Sequence, residues 1–138
     1  MKTSVIAGAL MLVSVPFLLS ACQTTKDSPK LSDMKVEYDF EKRHGCSSVS
    51  PTFSVSNIPD GTKFLNFRMT DLDYTLFNHG GGTVAYNGSS TVPEGALKSY
   101  KGPCPPQKHR YEIVVEALNA NKDIVLGRGK ATREFCCR

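Results

Sequence analysis

Several familiar patterns are missing from this sequence, and each absence removes a class of function. No block of consecutive lysines and arginines occurs, and 17 basic side chains are nearly matched by 13 acidic ones. The electrostatic footprint of a nucleic-acid binder is therefore lacking, and no nucleic-acid partner is expected. No two cysteines stand in a Cys-x-x-Cys pair, which removes the usual spacing of a zinc site, so no metal and no cofactor are expected. His79-Gly80-Gly81-Gly82 copies the oxyanion-hole string of lipases, but the Gly-x-Ser-x-Gly elbow those enzymes need is absent. The string reads as a glycine-rich turn, and for want of an activated nucleophile no enzyme is expected. Gly127-Arg128-Gly129-Lys130 lacks the glycine spacing and the following Ser or Thr of a phosphate loop, and reads as a hairpin turn. No segment keeps an apolar stripe of period 3.6 over three turns, so helix should be minor.

What is present begins with an export signal. Lys2 supplies a positive start, Val5 to Leu19 is an apolar run broken only by Gly8, Ser14 and Pro16, and small residues lead into Cys22. A run of about 15 residues is short for a membrane span, which needs roughly 20. Leu19-Ser20-Ala21-Cys22 resembles the lipobox of bacterial lipoproteins. That resemblance implies a diacylglycerol on the Cys22 thiol, cleavage before it and acylation of the new amine, which together give durable membrane attachment. Gln23 at the second mature position favours the outer over the inner membrane, in a host that sorts lipoproteins as enteric bacteria do. The expected organisation is a signal peptide over 1–21, a lipidated cysteine and tether over 22–33, and one domain over 34–138. The tether, poor in aliphatic residues, cannot pack.

The domain reads as strands. Met34, Val36, Tyr38 and Phe40 alternate with Lys35, Glu37 and Asp39, a period of two. Phe53 and Val55, then Leu65, Phe67 and Met69, then Tyr111, Ile113, Val115 and Ala117 repeat the pattern. Shorter candidates are 83–86, 123–126 and 129–135. Turn chemistry separates them at Ile58 to Gly61, His79 to Gly82, Asn87-Gly88 and Gly102 to Pro106. About seven short strands in about 100 residues imply an all-β fold, an antiparallel β-sandwich with little helix. Four cysteines besides Cys22, namely Cys46, Cys104, Cys136 and Cys137, suit two disulfides in an exported domain. Side chains of neighbours in an extended strand point to opposite faces, so Cys136 and Cys137 are each expected to bridge to Cys46 or Cys104 rather than to each other.

Three stretches together resemble one family. "CSSVSPTFSVSNIPDGTKFLNFRMTDLD" (46–73), "TVAYNGSSTVPEGA" (83–96) and above all "YKGPCPPQKHRYEIVVEAL" (100–118) are similar to segments of the phosphatidylethanolamine-binding, or Raf-kinase-inhibitor-like, proteins. The resemblance implies a β-sandwich with a small anion pocket at one end, able to hold phosphate or a phospholipid head group. Carried over by position, the pocket would use Asp71, His109 and Tyr111, with Arg110 and Asp73 bracing the loop. A histidine and a tyrosine hydroxyl can donate to phosphate oxygens while an aspartate orients the imidazole. The sequence departs from the family where Leu72 replaces the proline between the aspartates. The second pocket histidine should fall near Gly82, and His79 is not expected to take its place. The chain is also trimmed before the Pro-Cys-Pro-Pro loop and before the last strand. The expectation is an envelope lipoprotein that binds a small anion or head group without catalysis. The alternative is an inhibitor or adaptor that binds a protein partner, the pocket being vestigial.

Overall fold

The computed structural model describes residues 30–137. The expected signal peptide, Cys22 and the first part of the expected tether lie outside the described residues.

Eight strands make two sheets: β1 (Ser32–Asp33), β2 (Lys35–Tyr38), β3 (Phe53–Ser56), β4 (Phe64–Asp71), β5 (Gly81–Ala85), β6 (Thr91–Val92), β7 (His109–Leu118) and β8 (Val125–Phe135). The larger sheet runs β1-β8-β7-β4-β5 and the smaller β2-β3-β6. Every pairing is antiparallel except that of β1 with β8. The all-β expectation holds, and a single 3-10 turn at Lys42–His44 is the helical element among the described residues.

The alternation read from the sequence becomes the core. Phe53, Val55, Ile113, Val115 and Ala117 are completely buried, with Leu65, Phe67 and Met69 close behind. Phe53 of the small sheet meets Phe67 of the large one with ring centroids 4.9 Å apart. The Tyr38 hydroxyl donates to the Tyr111 carbonyl at 2.8 Å, tying β2 to β7 across the interior. Removing one such phenylalanine side chain costs about 3–5 kcal/mol in a close-packed interior.

Four expectations need correction. Ser32 and Asp33, assigned to the tether, pair with Gly127 and Arg128, so the ordered domain begins two residues earlier than expected. The expected hairpin at Gly127–Lys130 is instead the middle of β8. Its glycines admit another backbone: a Cβ on Gly129 would collide with the Met34 carbonyl, and one on Gly127 would lie 3.0 Å from the Ser32 carbonyl oxygen. Here the chain crosses from the large sheet to the small one directly over β8. Gly81 and Gly82, expected in a turn, open β5 for a similar reason, since a Cβ on Gly81 would run into the Phe67 carbonyl.

The disulfide pairing also differs. Cys46 bonds Cys104, their Cα atoms 4.6 Å apart, and Cys136 bonds its neighbour Cys137. The rule that neighbours point apart applies only while the strand stays extended. β8 ends at Phe135, and Cys137 has φ of 67°, so the alternation has already stopped. His44 is 2% exposed. Its Nδ1 accepts from the Glu41 amide at 2.8 Å, which leaves Nε2–H to donate to Glu94 at 2.8 Å.

Candidate functional site

The register of two strands assembles the site. Asp71, the last residue of β4, lies opposite Tyr111 of β7. His109 precedes Tyr111 by two residues and so shares its face of the sheet. Sequence-distant carboxylate, imidazole and phenol thus meet at one end of the sandwich. There they line a cavity of about 240 Å³ together with Tyr74, Phe77, His79 and the Gly102–Pro106 loop.

Asp71 is 3% exposed and fully engaged. Its Oδ2 receives His109 Nδ1–H at 2.7 Å, and its Oδ1 accepts the backbone N–H groups of Asp73 and Tyr74, both at 2.9 Å. Burial alone would raise its pKa, but these three donors outweigh burial and hold the carboxyl below its ordinary range. The net effect is a buried carboxylate that stays ionised and fixes the His109 ring.

The loop is braced from outside. Arg110 makes a forked contact with Asp73, Nη2 to Oδ1 at 2.8 Å and Nε to Oδ2 at 3.2 Å, and its backbone N–H reaches Oδ2 at 2.7 Å. These bonds lower the Asp73 pKa to about 2. Leu72, which stands where the resembling family has proline, donates its backbone N–H to the Arg110 carbonyl at 2.8 Å. A proline could not make that bond. The ladder therefore runs one residue further here, and the turn that follows is made by the Asp71 side chain instead of by a fixed ring.

His79 is the residue that sequence reasoning misplaced. It is 4% exposed and lines the cavity. Its Nδ1–H donates to the Lys101 carbonyl at 2.8 Å, and the Lys101 N–H returns a bond to the His79 carbonyl at 2.9 Å. Its ring packs edge-on against Phe77 at 4.6 Å and Tyr111 at 5.3 Å. The chain reaches this position because Gly80 and Gly81 press against the 97–101 segment, where a Cβ on Gly80 would clash with the Ser99 carbonyl. The glycine run beside the histidine was the available signal, and counting back from Asn87 concealed it.

Tyr111 is 1% exposed, packed between Phe40 and His79, and burial first, then the Asp71 charge, raises its pKa. It is as much core as cavity wall. Beside the hydroxyl-bearing rings of Tyr74 and Tyr111, the polar atoms left for a ligand include the two Nε2 atoms of His79 and His109, neither of which has a hydrogen-bond partner among the described residues. No group of three or more His, Cys, Asp or Glu side chains is placed to hold a metal ion among the described residues.

No protein-family model matches the sequence, and no curated protein matches it either. Solved structures do. A phosphatidylethanolamine-binding protein homologue from Chlamydia trachomatis aligns at TM-score 0.59 with 20% identity, covering 78% of this chain and 99% of that one. Escherichia coli YbcL, a member of the mammalian phosphatidylethanolamine-binding protein family, aligns at TM-score 0.58 with 18% identity, covering 76% of this chain and 99% of its own. At that identity the likeness establishes the fold: a small β-sandwich shared with phosphatidylethanolamine-binding protein homologues, as the motifs implied.

Proposed function

We propose that this protein is a non-catalytic binding module of the cell envelope, held to a membrane through Cys22, whose end cavity takes a phosphate-type anion, free or as a phospholipid head group. The observation that carries the reading is the pair of histidines. Both Nδ1–H groups are committed to fixed acceptors, Asp71 and the Lys101 carbonyl, so each ring can offer the cavity only its Nε2.

A neutral ring in that state has a lone pair at Nε2 and cannot donate to an anion. At these two atoms binding therefore brings a proton, either on an imidazole or on the ligand as an acid phosphate.

Titration with phosphate and with phosphoethanolamine, followed by NMR, tests this. Shifts should centre on residues 71, 79 and 109–111, with affinity near millimolar, since so few donors supply about 4–6 kcal/mol. Affinity should rise as the pH falls through the range in which imidazole protonates. Absence of shifts there at every pH would remove the reading.

A second reading, a protein-binding adaptor, is favoured by one feature. Beside the cavity mouth the loop after β4 exposes Leu72, Tyr74, Leu76 and Phe77, with Leu76 at 85%. Clustered exposed apolar side chains of this kind mark contact surfaces. Leu72→Ser with Leu76→Ser, neither of which lines the cavity, should abolish capture of a protein partner and leave the phosphate shifts intact. Loss of both together would point to misfolding of the loop.

A further inference from the structure

We propose that the four cysteines at the end of β8 form a thiol–disulfide exchange site, in which Cys136–Cys137 takes up and releases electrons and Cys46–Cys104 is the bridge it exchanges with. All four line a single cavity of about 270 Å³, with Lys42 and Phe135. Contacts other than the sulfur bonds gather them. Gly45 lies so close to Phe135 that a Cβ would stand 2.7 Å from its Cζ, and the Cys46 N–H donates to the Pro103 carbonyl at 2.7 Å. Cys46 follows Gly45, Cys104 follows Pro103 and Cys136 follows Phe135, so three of the four cysteines are one residue from a fixed contact and Cys137 comes next after Cys136.

The two bridges do different work. Cys46 and Cys104 are 58 residues apart in sequence, so their bond constrains the unfolded chain strongly. Cys136 and Cys137 are neighbours, so theirs closes no chain loop and can open without loosening the fold. Cys46, Cys136 and Cys137 are exposed to solvent, which gives the access that exchange requires. Lys42 also lines this cavity, and a cation close to a sulfur favours thiolate, the attacking form.

The chemistry balances with a low-molecular-weight thiol as reductant. Its thiolate attacks one sulfur of Cys136–Cys137; that bond breaks, and the expelled sulfur leaves as thiolate and takes a proton. A second equivalent displaces the mixed disulfide, leaving two protein thiols and the small molecule as its disulfide. A Cys136 or Cys137 thiolate then attacks Cys46 or Cys104. A new S–S bond forms as the old one breaks and the displaced sulfur leaves as thiolate, so the internal step transfers no net electrons. Exchange does not depend on what the neighbouring cavity binds, although Cys104 forms part of the wall of both.

The oxidised full chain, equilibrated in glutathione buffers of stepped ratio, acid-quenched, labelled with maleimide and peptide-mapped, tests the assignment. Two labels per molecule should appear first, on Cys136 and Cys137 or, where the internal step has followed, on one of them and on the cysteine it displaced. With no reductant added, Cys137→Ser and Cys136→Ser should each yield molecules in which the remaining thiol has joined Cys46 or Cys104 and the label sits on the displaced cysteine. Opening of Cys46–Cys104 while Cys136–Cys137 stays closed, or four labels from the first reduced molecules onward, overturns the assignment. So does labelling of the remaining thiol alone in both variants, with Cys46–Cys104 intact throughout.

Discussion

Two side chains, one buried and one exposed, hold the candidate site, and each has a measurable signature. His79 was hidden in the sequence because its distance from the next motif differs from that of the resembling family, whereas Asp71, His109 and Tyr111 were legible because the Asp-x-Asp and His-Arg-Tyr motifs that carry them resemble those of that family. If both rings serve the ligand, His79→Ala should weaken phosphate binding about as much as His109→Ala. Each should cost roughly tenfold, one charge-assisted hydrogen bond of about 1.5–3 kcal/mol less partial replacement by water; NMR titration of both variants reads this, and an unaffected His79→Ala would confine the site to His109. Asp73 is the exposed counterpart, with a pKa lowered to about 2 by Arg110. That lies below the unfolded value of about 3.9, so its carboxylate adds stability above that pH and loses it as the pH falls toward about 2. Asp71, also lowered, works in the same direction. Thermal denaturation from pH 5 to pH 2 should therefore show a falling melting temperature in the native protein and a shallower fall in Asp73→Asn. An unchanged acid slope in that variant would mean the Asp73–Arg110 pair contributes nothing to the folded state.

At the scale of elements, β8 shows where sequence reading stops. Period-two alternation located β2, β3, β4 and β7, because each has one face in the core and one in water. β8 is an inner strand of its sheet, and its two glycines, a turn signal by composition, serve close backbone passage that no single-strand pattern reports. Gly129→Ala should cost about 1–3 kcal/mol through overpacking, because the added carbon meets both the Met34 carbonyl and, at 2.9 Å, Val36 Cγ2. Calorimetry should register a drop of about 4–8 °C per kcal/mol for a domain this size; no drop would mean that the crossing over β8 relaxes freely. β6, only two residues long, has too little pattern to be legible at all. The cysteine connectivity was illegible for a related reason, since neighbour geometry depends on where the strand ends. With its cysteines 58 positions apart in sequence, Cys46–Cys104 should stabilise the chain by about 4 kcal/mol on the loop-entropy account. Cys46→Ala with Cys104→Ala should then lower the melting temperature by more than about 10 °C. Cys136→Ser with Cys137→Ser should change it little, and equal losses in the two double variants would contradict that division.

Across the whole molecule, the tether end and the cavity lie at opposite ends of the sandwich. β1 enters beside Gly127 and Arg128, next to the Leu118 end of β7, whereas the cavity is built at the His109 end. The ten residues of β7 span about 33 Å at about 3.3 Å each. A chain anchored through Cys22 would thus present its cavity, and the exposed Leu76 and Phe77 beside it, away from the membrane that holds it. The ligand or partner would then come from the space beyond, not from the lipid leaflet of the anchor. Hydrogen exchange on the lipidated protein in vesicles, compared with the same domain cut free of its tether, can test this orientation. Added protection should appear in the turns at 57–61 and 119–123, which flank the tether end, and none in the 72–78 loop. Protection of 72–78 by the bilayer would reverse the orientation and place the apolar loop in lipid. Recovery of Cys22→Ser protein in the lipid-bearing fraction would remove the anchor, and with it the reason for any preferred orientation.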